Sequence, residues 1–162
     1  MENYYIRKIK KEDNSAVAAL IRAVFDELNI PKVGTAYEDP YLDLMFEEYN
    51  KPKSVYYVVE KEGRIIGSAG VAQLENEAKT ICELQKMYFL PETRGLGIGS
   101  QMMAKCLQSA KNFGFEKCYL ETMPFMLDAQ KLYKKTGFEY ICSPMGSTGH
   151  TSCPVWMLKI LD

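Results

Sequence analysis

Apolar positions recur along this chain in two periods, and each change of period marks an element boundary. Residues 4–9, Tyr-Tyr-Ile-Arg-Lys-Ile, alternate as a strand does. Glu12, Asp13 and Asn14 then place acidic and capping chemistry ahead of Val17, Leu20, Ile21, Val24, Phe25 and Leu28, which share one face of a helix. Pro31, Gly34 and Pro40 make a loop of residues 29–40, after which Tyr41, Leu42, Leu44, Met45 and Tyr49 predict a short second helix. Residues 54–60 and 65–72 read as a hairpin turning at Gly63. The next strand, residues 80–90, changes phase: its apolar positions are even at Cys82 and Leu84 but odd at Met87 and Phe89. A strand shows alternate residues to opposite faces, so this switch predicts a β-bulge near Gln85 and Lys86.

The remaining elements follow by the same signals. A glycine-rich turn at 91–99 leads to a helix presenting Met102, Met103, Cys106, Leu107, Ala110 and Phe113, stopped by Gly114. A strand at 117–121 precedes a helix at about 126–136, where Ala129, Leu132 and Tyr133 are the apolar face and Gly137 the stop. Residues 138–141 and 155–161 predict the last strands, joined by a loop rich in Pro, Gly, Ser and Thr. No repeat, linker or low-complexity stretch interrupts this order, and one mixed α/β domain over residues 1–162 is expected.

Composition narrows the function. A chain of 162 residues buries roughly 68–70% of its unfolded surface and needs no metal or disulfide to hold a core. With 20 Lys+Arg against 21 Asp+Glu, it lacks the basic field of a dedicated nucleic-acid binder. No segment approaches the ~20 apolar residues of a membrane span, and residues 1–14 lack the apolar core of a signal peptide. Five cysteines, odd in number and without a CxxC pair, fit reduced thiols in the cytoplasm. A single histidine, His150, excludes a multi-histidine metal site, and no metal is expected.

The strongest local signal is Arg94-Gly95-Leu96-Gly97-Ile98-Gly99-Ser100, between a strand and a helix start. Glycines admit close backbone approach, and free N–H groups at a helix N-terminus favour an anion, so the segment reads as a phosphate-binding turn. It is neither a Walker A loop, for want of Gly-Lys-Ser/Thr, nor the dinucleotide fingerprint. A left-handed turn with no ligand is the alternative reading of the same residues.

Arg94-x-x-Gly97-x-Gly99 resembles the acyl-CoA signature of the GNAT N-acetyltransferase superfamily. Ala129-Gln-Lys-Leu132-Tyr133-Lys-Lys-Thr-Gly137-Phe138 is similar to that family's helix-to-strand segment, and Glu60-Lys-Glu-Gly63-Arg-Ile-Ile-Gly67 to its hairpin, all in the family's order. The resemblance implies a mostly antiparallel twisted sheet of about seven strands with about four helices, splayed where acetyl-CoA enters. It implies that Met87, Tyr88 and Phe89 offer backbone groups to the thioester and pantetheine. The pyrophosphate then rests on main-chain N–H groups of Arg94, Gly95, Leu96, Gly97, Ile98, Gly99 and Ser100. The implied activity is acetyl-CoA-dependent N-acetylation of a primary amine on a small molecule or amino-acid-like acceptor. The alternatives are a non-catalytic CoA-binding module and a protein or peptide N-acetyltransferase.

By the same resemblance Tyr133 is the candidate general acid toward the CoA sulfur, and Glu83 the candidate base, with a water chain as its rival. Met126 stands where the family often carries an asparagine. His150 and Tyr37 are candidates for the acceptor site, whereas Cys153 is expected to pack. Residues 26–48 hold seven acids (Asp26, Glu27, Glu38, Asp39, Asp43, Glu47 and Glu48) against Lys32, which reads either as a field for a cationic acceptor or as a solvated face. A homodimer is the expected assembly if the chain associates.

Overall fold

Alternate side chains of β2 (Val55–Lys61) enter different cores, and that sets the layering. Val55, Tyr57 and Val59 join one apolar cluster, Tyr56 and Val58 another. Both faces of the sheet are therefore covered, which is why the strand reads as an unbroken apolar run. The computed structural model describes residues 3–162. Its remaining strands are β1 (Tyr4–Lys8), β3 (Arg64–Gln73), β4 (Ile81–Phe89), β5 (Lys117–Thr122), β6 (Glu139–Ile141) and β7 (Val155–Ile160). They form one seven-stranded sheet in the order β1-β2-β3-β4-β5-β7-β6. All neighbours are antiparallel except β4 and β5, which are parallel.

Helices α1 (Asn14–Leu28) and α2 (Met45–Tyr49) pack on the face that holds Tyr56 and Val58. Helices α3 (Ile98–Asn112) and α4 (Leu127–Thr136) cover the other. The second helix is shorter than the 41–49 expected. Leu44, at φ −131° and ψ 41°, separates a 3-10 turn at Leu42–Leu44 from α2. Tyr41 stays outside the helix and sets its ring 4.7 Å from the Lys86 ammonium. No helix among the described residues is long and apolar enough to cross a membrane.

Two features of β4 shape the site. The first is the bulge: Gly70 faces Gln85 and Ser68 faces Tyr88, so Lys86 and Met87 together oppose Ala69. Lys86 takes the left-handed conformation, φ 47°. Cys82, Leu84, Met87 and Phe89 consequently all reach the same core, which accounts for the change of phase in the sequence. From β2, the Tyr56 hydroxyl lies 2.8 Å from both the Lys86 carbonyl and the Ser68 hydroxyl, bracing the bulge inside the sheet. The second feature is the splay. β4 pairs with β5 only through Ile81, Cys82 and Glu83, although β4 runs on with β3 to Phe89 and β5 with β7 to Thr122. Past Glu83 the two strands part, and the main chain of β4 has no ladder partner on that edge.

Candidate active site

The parting strands open two cavities that meet back to back. The larger, about 440 Å³, lies between the C-terminal end of β4, the turn after it and the start of α4. The smaller, about 70 Å³, lies on the α1 side of the bulge, beneath the loops that carry Tyr41 and His150. Met87, Tyr88, Met126 and Tyr133 line both.

The larger cleft is shaped by main chain. Gly95 and Gly97 are left-handed, at φ 81° and 77°, and Gly97 is the residue from which α3 starts. Side-chain-bearing residues seldom hold that conformation, so these glycines keep the turn open toward the helix N-terminus. At Gly99 a β-carbon would lie 3.1 Å from Leu132 of α4, so this position keeps the two helices close. Met87, Tyr88, Phe89, Arg94, Gly95, Gly97, Ile98, Gly99 and Ser100 all line the cleft. Leu96 does not, and its side chain is 40% exposed. The Arg94 guanidinium is committed to the protein, donating to Glu27 of α1 at 2.6 Å and to the Phe89 carbonyl at 3.1 Å. It ties the turn to α1 and β4. Met126 contributes an apolar wall, its thioether 3.9 Å from the Thr122 hydroxyl.

Tyr133 stands at the junction. Gly137, left-handed at φ 107°, ends α4 so that the Phe138 N–H returns to the Tyr133 carbonyl at 3.0 Å, and the two rings meet at 6.2 Å. Burial pushes the phenol up to about 12, so it carries its proton at neutral pH.

The smaller cavity is shaped by side chains. Glu83 is buried, and burial pushes its carboxyl up to about 7, against the hydrogen bond it accepts from Gln85 Nε2 at 2.6 Å. The Tyr49 hydroxyl donates in turn to Gln85 Oε1, so a relay from α2 orients the carboxylate. Lys86 is not Glu83's partner: its ammonium lies 2.7 Å from Asp39 and donates to Tyr41 at 3.3 Å. The same Asp39 carboxylate holds His150, with Nε2 at 3.1 Å from both oxygens. Burial alone would raise Asp39, but His150 and Lys86 outweigh it and hold the carboxyl below its ordinary value. From β5, Glu121 accepts from Tyr119 at 2.5 Å and from Thr148 at 2.6 Å.

The structure thus brings Glu83, His150 and Tyr133 to one cavity and leaves Tyr37 out of it. Tyr37 lines neither cavity; its ring packs on Phe25 at 5.5 Å, under the Lys32 ammonium. Tyr41 occupies the place expected of Tyr37. The acidic stretch 26–48 is likewise not a free field. Asp26 pairs with Lys32, Glu27 with Arg94, Asp39 with Lys86, Asp43 with Arg22 and Glu48 with Lys51. The carboxylates facing the cavity come from strands, Glu83 and Glu121. Cys153 lines the wall with its thiol pushed up to about 12 by burial, which leaves little thiolate at neutral pH. Lys86, Gln85, Glu121 and Thr148 carry no local signal beyond the bulge itself, since their roles arise from partners up to 47 residues away or from the loop beyond.

Residues 21–138 match the model of the Acetyltransferase (GNAT) family. The chain belongs to that family. A GNAT relative described as uncharacterized N-acetyltransferase YjgM, from Escherichia coli (strain K12), is 41% identical over 157 residues, 96% of this chain and 94% of the relative. Among solved structures, a GNAT-family acetyltransferase from Staphylococcus aureus Mu50 superposes with a TM-score of 0.85 at 19% identity, covering 98% of this chain and 99% of that one. PaiA N-acetyltransferase from Thermoplasma acidophilum, in complex with coenzyme A, gives 0.75 at 18% identity, with 98% and 99% covered. The protein is a GNAT acetyltransferase with the family's fold.

Proposed function

We propose that this acetyltransferase moves the acetyl group of acetyl-CoA directly onto the primary amine of a small acceptor. The observation that carries the reading is the junction of the two cavities at Met87, Tyr88, Met126 and Tyr133, where a thioester in one would meet an amine in the other. Acetyl-CoA supplies an activated acyl group and a thiolate leaving group. The residues present suit it: a helix N-terminus opened by Gly95 and Gly97 for the diphosphate, and an unladdered strand edge for the pantetheine amides.

Each step then falls to a group of this chain. Glu83, held near pH 7 by burial, takes the proton from the bound ammonium and leaves a neutral nucleophile. Main-chain N–H groups between Met87 and Phe89 stabilise the oxygen as the amine bonds to the carbonyl carbon and the C=O pair moves onto oxygen. As that pair returns and the C–S bond breaks, Tyr133 gives its proton to the departing sulfur. The apolar wall of Met87, Met126 and Leu132 keeps water from the thioester. The second proton, acidic once the nitrogen is bonded to the carbonyl carbon, leaves the nitrogen and restores the Tyr133 phenol through solvent, so that amide, free CoA thiol and a protonated Glu83 that exchanges with solvent close the balance.

The test is release of free thiol from acetyl-CoA in the presence of a primary amine, with the acetylated amine identified by mass. Thiol release that does not depend on amine, with no N-acetyl product, would defeat the proposal.

A further inference from the structure

The charges of the smaller cavity are not evenly matched, and the mismatch selects among acceptors. It contains two basic side chains, Lys86 and His150, and both are held by Asp39, at 2.7 Å and 3.1 Å. Lys86 is buried, its remaining contact being the Tyr41 hydroxyl and ring. Neither basic side chain is left without a partner. Two carboxylates have no ion-pair partner among the described residues, since Glu83 accepts only the Gln85 amide on one oxygen and Glu121 accepts only the hydroxyls of Tyr119 and Thr148. Glu83 has 6% of its surface exposed, and its second oxygen has no hydrogen-bond partner within the described residues. The cavity therefore presents basic side chains already bonded to Asp39 on one wall and carboxylates without an ion-pair partner among the described residues on the other.

Size points the same way. A cavity of about 70 Å³ is on the scale of a few water molecules. That is room enough for an ammonium and its first carbons.

We propose that the acceptor is a primary alkylamine with no carboxylate on the carbon next to its nitrogen, and that the Asp39–Lys86–His150 group sets this preference by engaging both basic side chains in reach. The proposal rests on the acetyl-transfer reading and narrows it. An amino acid's carboxylate, one bond from the carbon that bears the reacting nitrogen, would be driven toward Glu83 and Glu121 with no unpaired basic side chain lining the cavity among the described residues to meet it. An alkylamine brings only the charge these carboxylates lack. Asp39 is thus a specificity residue acting through Lys86 and His150.

Four matched pairs test this, each with a single primary amine and differing by one carboxylate: agmatine and arginine, histamine and histidine, phenethylamine and phenylalanine, ethanolamine and serine. The expected result is that in every pair turned over, the decarboxylated member has at least tenfold higher kcat/KM. Equal rates, or preference for the amino acid, overturn the inference and leave acetyl transfer standing. No N-acetyl product from any of the eight overturns both. Asp39→Asn frees Lys86 to meet a carboxylate, so the ratio within a pair should fall toward one. A ratio unchanged in a folded, CoA-binding Asp39→Asn protein would remove Asp39 from acceptor selection.

Discussion

The larger cleft draws its wall from residues 87–100 and 125–133 with two side chains of α1, and its form depends on where glycines let the chain turn. The smaller cavity gathers side chains from residues 25–41, 83–88, 120–133 and 148–153, and its form depends on which charge is held by which. Cleft and cavity share Tyr133 and the bulged strand, yet they respond to different perturbations. A cleft built from main chain tolerates exchange of its side chains and fails when a left-handed glycine is filled. A cavity built from paired side chains tolerates backbone strain nearby and fails when one member of a pair is neutralised.

Substitution at the shared residue bears hardest on this contrast. Tyr133→Phe should lower kcat by about 10²- to 10⁴-fold, the usual worth of a positioned acid, with acetyl-CoA affinity unchanged by titration. Loss of affinity in step with rate would make Tyr133 part of the cleft's shape instead.

Glu83→Gln probes the cavity alone. The wild-type rate should fall below pH 7 as the carboxylate gains a proton, and the variant should be slowed by about 10² or more and lose that acidic limb. A pH–rate profile identical to wild type would transfer the base role to water. Stability should move the other way. The folded carboxyl sits above its ordinary value, so whatever stability it contributes is present below that ordinary value and lost as pH rises through about 7. Glu83→Gln should therefore stabilise the protein at pH 8 by up to about 3 kcal/mol and scarcely at pH 4, read from denaturant midpoints. A variant less stable at pH 8 would show that the carboxylate is better satisfied than its burial implies.

Gly97→Val is the smallest of these effects and confined to the cleft. A β-branched residue at φ 77° costs roughly 1–2 kcal/mol, and nothing lies within 4 Å of its β-carbon to clash. The expected outcome is about a tenfold weaker acetyl-CoA dissociation constant with the Glu83 pH profile unmoved. A shifted profile would mean that cleft and cavity are coupled more closely than four common residues suggest.

The contrast also explains which features are legible in the sequence. The succession of strands and helices, the glycine stops and the bulge can be read because each leaves a local mark: a period of 3.6 or 2, a residue free to turn left, a change of phase between Leu84 and Met87. The turn of 94–100 is readable for the same reason. The second helix reads too long because Tyr41, Leu42 and Leu44 have helical spacing, whereas the contact of Tyr41 with Lys86, 45 residues away, is invisible locally. Tyr37 and Tyr41 are indistinguishable by composition, and only packing on Phe25 separates them. The acids of 26–48 stand out in the sequence, yet their partners Arg22, Arg94 and Lys86 lie outside the segment.

By itself, then, the sequence determined the elements, the bulged strand and the glycine turn, because these follow from backbone sterics and from the period at which apolar residues recur. Tertiary structure decided which charges meet. The splay of β4 from β5 and the return of the 142–154 loop bring Asp39, Lys86 and His150 together across 111 residues of chain, and leave Glu83 and Glu121 without an ion-pair partner among the described residues. Pairing of buried charges depends on distances of a few ångströms in a low-dielectric setting, and no local pattern encodes such distances.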